Sequence, residues 1–139
     1  MARIKIEIPE RRLATIKLPV RITDINYGNH LGNDAVIGIL HEARVQWLKS
    51  YDFSELNIVS VGLIMADLAV VYKNESYHGD QLTIDIYCGE ITVVSFELFY
   101  AVHNQDNKII AEAKTGMVCF NYKLKKVAAI PAELRLLIE

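Results

Sequence analysis

Hydrophobic and polar positions along the chain predict one strand, one long helix and then four more strands. In residues 12–22 the even positions are mostly apolar and the odd positions mostly polar. This two-residue period is typical of a strand with one buried face. Pro19 lies inside the segment and cannot donate a backbone hydrogen bond. The strand is therefore expected at a sheet edge, or with an irregularity at that point.

Turn-forming residues in 23–33 interrupt this pattern, and a helix is predicted from about Asp34 to about Ser50. Gly32 or Asn33 can cap its start, where the charge of Asp34 complements the helix dipole. Apolar residues occupy most of the circumference, which predicts a helix buried on several sides. The remaining narrow polar side contains Glu42, Arg44, Gln46 and Lys49.

Four strand-like segments follow the helix. Residues 61–73 are almost continuously apolar, as in a strand covered on both faces. Alternating patterns at 82–86, 94–100 and 111–120 predict three more strands joined by short turns, hence antiparallel neighbours. Pro131 is expected to start a short terminal helix. Since a flat sheet cannot bury the long helix, we predict an α+β fold in which a curled antiparallel sheet wraps around it.

Composition and charge limit the possible partners. The 139 residues predict a single domain spanning 1–139. The net charge is −2 and the longest basic run is two lysines, so neither nucleic acid nor an anionic membrane is expected as a partner. No apolar run approaches the ~20 residues of a membrane span, and the first residues lack a signal-peptide pattern. We expect a soluble cytoplasmic protein in which Cys88 and Cys119 are reduced, buried thiols.

Polar side chains are concentrated between the first strand and the helix. Turn formers alone would explain this loop, but it also brings carboxylates, an imidazole and unpaired backbone N–H groups to the helix start. Such N–H groups can polarise a carbonyl, while a carboxylate attacks it or activates water. This chemistry suits acyl transfer to water. The residues concerned are Asp24, Asn26, Asn29, His30, Asn33 and Asp34.

The same loop resembles a known family. The sequence TDIN at 23–26, followed by HLGN at 30–33, resembles the Asp…Gly-His-Val-Asn-Asn segment of hotdog-fold thioesterases, with the 4-hydroxybenzoyl-CoA thioesterase-like group as the best match. HEAR at 41–44 is similar to that group's Glu-x-Ala-Arg helix segment. YHGDQL at 77–82 is similar to its Gly-Asp-x-Leu turn, and GMVCF at 116–120 to its last core strand.

The resemblance implies a hotdog fold that hydrolyses an acyl-CoA or acyl-carrier thioester to a free acid and a thiol. Asp24 takes the position of the family's catalytic carboxylate, and Asp34 is the second candidate. The interval from Asp24 to His30 is roughly two residues longer than in many relatives, and Gly32 replaces the first Asn of the family pair. Whether the carboxylate attacks directly or activates water stays open at this point.

The other implied site residues surround these carboxylates. His30 or Asn33 would orient or polarise the thioester, whose carbonyl is expected at the helix start. Asn26, Ala35 and Glu42 are predicted to bind substrate. Neither a cofactor nor a metal ion is expected, because the zinc-like start His41-Glu42 lacks a second histidine at position 45.

The sequence leaves two alternative functions open and predicts an oligomer. The rivals to hydrolysis are a hotdog dehydratase or hydratase and a non-catalytic module that binds acyl-CoA or an acyl chain. A curled sheet leaves an edge and an apolar rim exposed, so a homo-oligomer is predicted, as a dimer or a dimer of dimers. Asp67 interrupts the apolar run 61–73 and is predicted either to line the site or to face a subunit boundary.

Overall fold

A computed structural model describes residues 3–139 and contains the predicted elements in the predicted order. The first strand is followed by a short 3-10 helix, Ile22–Asp24, which leads into the loop before the long helix. The elements are β1 (Arg12–Pro19), α1 (Asn33–Lys49), β2 (Gly62–Tyr72), β3 (Gln81–Ile91), β4 (Ser95–His103), β5 (Ile109–Asn121), β6 (Lys126–Val127) and α2 (Ala132–Ile138).

The strands form one antiparallel sheet in the order β1-β3-β4-β5-β2, and the two-residue β6 pairs with the end of β5. Alternate residues of β3, β4 and β5 are buried and form the core together with one face of α1. The predicted α+β hotdog architecture, an antiparallel sheet around one central helix, is confirmed. The terminal helix also follows Pro131, as expected.

The long helix α1 is buried along one stripe rather than around most of its circumference. Its buried residues recur every three or four positions, whereas Ile37 and Val45 are exposed. The prediction of burial on several sides is therefore wrong for the single chain. So is the placement of Arg44 on the polar side, because this residue is only 5% exposed and points into the core.

The first strand ends earlier than predicted. β1 stops at Pro19, and the 3-10 helix that begins at Ile22 replaces the last predicted strand residues. The carboxylate of Asp24 causes this change by accepting the backbone N–H of Arg21 at 2.9 Å, which caps the new turn. The edge position inferred from Pro19 is correct, because β1 pairs only with β3.

The apolar run 61–73 forms β2, which lies at the opposite edge of the sheet and is not covered on both faces within the chain. Ile64 and Met65 are 37% and 41% exposed. Asp67 is also exposed rather than buried: its carboxylate accepts bonds from the Lys114 ammonium at 2.8 and 3.0 Å and from the Gly116 backbone N–H at 2.7 Å. It lies outside the cleft described below, so it does not line that site.

Both cysteines are buried free thiols, as predicted. Burial raises the pKa of Cys88 and of Cys119 to about 11, so little thiolate forms at neutral pH. This favours a structural role over a nucleophilic one. Among residues 3–139, no helix combines the length and the apolar character needed to cross a membrane.

Candidate active site

A cleft of about 540 Å³ runs between the first turns of α1 and the segment that joins β1 to the 3-10 helix. We call it the main cleft. Both candidate carboxylates, Asp24 and Asp34, line it together with Ala35 and Glu42. Four of the seven site residues predicted from the sequence therefore share one cavity. Its wall also contains residues that the sequence did not indicate, Leu18, Arg21, Gly38 and Gln46.

Both oxygens of the Asp24 carboxylate accept hydrogen bonds from Arg21. Its Oδ2 atom accepts the Arg21 backbone N–H at 2.9 Å and Nε at 3.4 Å, and its Oδ1 atom accepts Nη2 at 3.2 Å. Asp24 is only 8% exposed, and its backbone carbonyl accepts the N–H of Gly32 at 3.0 Å. The hydrogen bonding of the Arg21 guanidinium, which donates to the Asp24 carboxylate, is the main cause that raises the pKa of Arg21. Asp24 therefore holds the loop against the start of α1.

The carboxylate of Asp34 lies in a different environment. Asp34 is exposed in the first turn of α1 and has no hydrogen-bond or ion-pair partner among residues 3–139. A Cβ atom at position 32 would lie 2.7 Å from Asp34 Oδ1. Glycine at position 32, the departure from the family pattern, thus leaves space for this carboxylate.

Backbone N–H groups without an acceptor lie at the start of α1, next to the Asp34 carboxylate. Gly32 caps α1 without a side-chain hydrogen bond, and Val36 is the first residue whose N–H bonds back to it. In the described chain the N–H groups of Asn33, Asp34 and Ala35 have no backbone or side-chain acceptor. Such a helix start attracts negative charge and can stabilise a developing oxyanion.

His30 and Asn33 line a second, smaller cleft on the other side of the helix start, about 260 Å³ in volume. Tyr72, the last residue of β2, donates its hydroxyl to the Asn33 carbonyl at 2.8 Å and lines this second cleft. Burial, and then the negative charge of Asp34, raise the pKa of Tyr72. Nε2 of His30 is 3.7 Å from Oε1 of Glu75. The helix start thus separates the imidazole from the main cleft.

Asn26 supports the loop that joins these groups. Its side-chain oxygen accepts the Gly28 N–H at 2.9 Å, and its backbone N–H donates to the His30 carbonyl at 3.0 Å. Asn29 within this turn has a positive φ of 70°, a conformation that asparagine tolerates better than most residues. Asn26 therefore shapes the turn in the described chain, and its substrate contact stays a prediction.

A polar cluster reaches from the surface into the core: Arg44, Tyr100 and Thr115 are buried, Glu55 is half-buried and His41 is exposed. The Arg44 guanidinium donates to Glu55 at 2.9 Å and to the Tyr100 hydroxyl at 3.1 Å. That hydroxyl lies 2.8 Å from the hydroxyl of Thr115, and His41 Nε2 lies 2.6 Å from the second oxygen of Glu55. This cluster ties α1 to β4, to β5 and to the connection before β2.

Comparisons with known proteins identify the family. The model of the thioesterase-like superfamily matches residues 20–137, which include the second cleft, the main cleft apart from Leu18 and Pro19, α1 and all strands after β1. The chain belongs to this superfamily. The identification as a hotdog thioesterase and the prediction of a thioester hydrolase are thereby confirmed.

Individual relatives of this thioesterase-like chain are distant in sequence but similar in structure. The long-chain acyl-CoA thioesterase FadM of Escherichia coli is 23% identical over 121 residues, which cover 86% of this chain and 92% of that protein. A 1,4-dihydroxy-2-naphthoyl-CoA thioesterase from Synechocystis superposes with a TM-score of 0.82 at 21% identity, covering 89% of this chain and 93% of that one. A Staphylococcus aureus protein in complex with CoA has a TM-score of 0.81 at 16% identity, covering 96% and 85%.

Sequence reasoning missed three residues that shape the site. Arg21 could have been recognised, because it lies three residues before Asp24, the spacing of a capping interaction. Gly38 had a weaker signal, a glycine inside a predicted helix, which costs about 1 kcal/mol relative to alanine. Tyr72 had none, because only the fold brings the end of β2 to the start of α1.

Proposed function

We propose that this chain hydrolyses acyl-CoA thioesters and that Asp34 is the carboxylate that acts on the thioester. The single observation that carries the proposal is the Asp34 carboxylate, unpaired within the described chain, beside unpaired N–H groups at the start of α1. The names of two relatives, an acyl-CoA thioesterase and a protein in complex with CoA, support CoA as the thiol.

The geometry favours Asp34 over Asp24, the reverse of the order suggested by the family pattern. A general base or nucleophile needs a lone pair directed at its substrate. Both oxygens of Asp24 already accept hydrogen bonds from Arg21, whereas those of Asp34 accept none from residues 3–139. We therefore assign Asp24 to holding the loop and Asp34 to the reaction.

The reaction follows from this arrangement. The thioester carbonyl oxygen points at the N–H groups of Asp34 and Ala35, which stabilise the negative charge that develops when the carbonyl carbon is attacked. In the general-base route, water attacks as Asp34 removes its proton. The tetrahedral intermediate then collapses, the C–S bond breaks, and the thiol leaves with a proton. In the nucleophilic route, Asp34 attacks the carbonyl carbon, the C–S bond breaks and the thiolate leaves. Water then opens the mixed anhydride to the same acid, which restores the Asp34 carboxylate, and a proton from this water goes to the thiolate.

Release of free thiol tests this function directly. The protein is incubated with acetyl-, butyryl-, benzoyl- and palmitoyl-CoA, and free CoA is measured with a thiol reagent. At least one member of the panel should be cleaved at a rate proportional to enzyme concentration. The buried Cys88 and Cys119 should contribute little background, because the folded protein exposes neither thiol.

The rival functions give different results in the same experiment. A non-catalytic acyl-binding module would bind an acyl-CoA, detected by calorimetry, without releasing CoA. A dehydratase or hydratase would leave the thioester intact and change the absorbance of an enoyl-CoA instead. Either result, with no free CoA from any acyl-CoA tested, contradicts the hydrolase proposal.

We also propose that the active form is a homodimer, or a dimer of dimers, built at the β2 edge. β2 has eleven residues, pairs on one side only, and exposes Ile64 and Met65. An unpaired edge with exposed apolar side chains favours pairing with a second chain. Because β2 ends at Tyr72, which bonds to Asn33, a partner strand there would lie close to the helix start.

Light scattering at micromolar concentration should report a mass of at least two chains. Met65→Lys should shift the protein towards the monomer, because it places a charge in the proposed contact. Leu136→Lys is the matched control: Leu136 is 78% exposed on α2, away from β2, so its replacement should leave the mass unchanged. A wild-type mass of one chain would contradict the dimer.

A further inference from the structure

Gly38 is a glycine in the interior of α1 that nothing in the described chain requires. Glycine is among the residues that least favour a helix interior. The backbone at Gly38 is ordinary α-helix, without a positive φ, and the position is exposed. A Cβ atom added there would have no other atom within 4 Å. Gly38 lines the main cleft, so the space that a side chain would occupy belongs to this cleft.

Other glycines of the chain have a packing reason that Gly38 lacks. At Gly62 an added Cβ would approach the Tyr122 ring to 2.4 Å, and at Gly89 it would approach the Phe99 ring to 2.5 Å. At Gly116 it would lie 2.6 Å from the Asp67 carboxylate. These three positions cannot hold a side chain without a rearrangement. Space at Gly38 is left free, although alanine would fit and would favour the helix.

The open space at Gly38 lies close enough to the Asp34 carboxylate to hold part of a bound substrate. Gly38 lies four residues after Asp34 on the same face of α1, about 6 Å further along the helix axis. Glu42 continues this face one turn later and also lines the main cleft. If the thioester carbonyl is held at the helix start, the substrate atoms bonded next to that carbonyl would therefore lie over Gly38.

We propose that Gly38 sets the width of the acyl group that the site accepts, an inference that rests on the proposed function. The missing side chain leaves room for acyl groups that are broad next to the carbonyl, either branched or cyclic. Leu18 and Ile39 form an apolar part of the same cleft, which suits the hydrocarbon portion of such a group. The charged CoA arm needs contact with solvent, whereas the cleft beside Gly38 has this apolar wall, so we assign the space over Gly38 to the acyl side.

Two isomeric substrates isolate width from length and hydrophobicity. Butyryl-CoA and isobutyryl-CoA have the same number of carbons, but only the second branches beside the carbonyl; benzoyl-CoA adds a ring at that point. In Gly38→Val, the ratio of kcat/KM for isobutyryl-CoA to that for butyryl-CoA should fall at least about tenfold relative to wild type, because an added side chain overlaps the branch. Benzoyl-CoA should lose at least as much.

Two further variants separate this effect from loss of folding. Gly38→Ala should raise the thermal midpoint, because alanine favours the helix, and still lower the isobutyryl-to-butyryl ratio, though less than valine. Val45→Leu enlarges an exposed residue of α1 outside the main cleft and should leave the ratio unchanged. A stabilised variant with an altered substrate ratio cannot be explained by a structural role of Gly38 alone.

Four results would overturn the inference. An unchanged ratio in both Gly38 variants would mean that no acyl group lies over this position. An equal loss for every acyl-CoA would assign the space to the CoA arm, which all substrates share. These results are distinguishable from failure of the proposed function. If acyl-CoA is bound but not cleaved, the ratio of the Kd values for isobutyryl-CoA and butyryl-CoA replaces the ratio of kcat/KM. If the Gly38 variants leave that Kd ratio unchanged, the role of Gly38 is rejected. Absence of both binding and cleavage rejects both proposals.

Discussion

Asp34→Asn should lower kcat for acyl-CoA hydrolysis by about 10²–10⁴-fold, the range typical of a lost general base. Asparagine keeps the size of the side chain but cannot remove a proton from water or form an anhydride. The fold should persist, because Asp34 has no partner among residues 3–139. The lost attraction between the charge and the helix dipole costs about 0.3–1 kcal/mol. Steady-state kinetics and thermal unfolding measure the two effects separately.

Asp24→Asn is the matched comparison at the competing carboxylate. It weakens the bonds to the largely exposed Arg21 side chain, but an asparagine can still accept the backbone N–H that caps the 3-10 helix. We expect kcat to stay within about tenfold of wild type, far from the loss at Asp34. If Asp24→Asn is inactive and folded while Asp34→Asn is active, the assignment of the two carboxylates is reversed.

Arg44→Ala should lower the free energy of unfolding by about 3–5 kcal/mol, the largest stability effect we expect in this chain. The substitution leaves the carboxylate of Glu55 without its buried guanidinium and removes a donor to the Tyr100 hydroxyl. For a chain of this size the thermal midpoint should fall by about 10 °C or more. Denaturant titration followed by circular dichroism measures the change.

Two further variants show whether the buried charge is the cause. Arg44→Met/Glu55→Gln removes both charges and should be more stable than Arg44→Met alone, because no half-buried carboxylate is left without its guanidinium. Lys73→Ala removes a more exposed partner, 3.6 Å from Glu112, and should change the stability by no more than about 1 kcal/mol. An Arg44→Ala protein as stable as wild type would show that the cluster contributes little to folding.

Much of the fold could be predicted from local patterns. The α1 segment and the alternating strands were recognisable because a helix repeats every 3.6 residues and a strand every two, so each pattern reports which side chains face the core. Pro19 indicated the sheet edge, and Pro131 the start of α2, through the lost N–H that each proline imposes. The crowded polar loop before α1 was also identifiable as the candidate site.

The errors share a different origin, because each depended on a partner distant in the sequence. The sequence pattern puts Arg44 on the polar side of α1, since nothing nearby indicates that Glu55 and Tyr100 accept its hydrogen bonds. The apolar run of β2 predicts a strand covered on both faces, but within the chain no element packs over Ile64 and Met65, which are exposed. Of the two positions predicted for Asp67, lining the site is wrong, because it pairs with a lysine of the neighbouring strand at the surface outside the main cleft; the subunit boundary stays a prediction.

Within the site, the sequence by itself established the types of group present, their order along the chain and their position at the start of a helix. Only the tertiary structure distributed them between two clefts, paired Asp24 with Arg21, left Asp34 unpaired in the described chain and brought Tyr72 to the helix start. The physical reason is that periodicity and capping act over a few residues, whereas the lone pairs of a carboxylate are occupied or free according to groups that the folded sheet and helix bring within hydrogen-bonding distance.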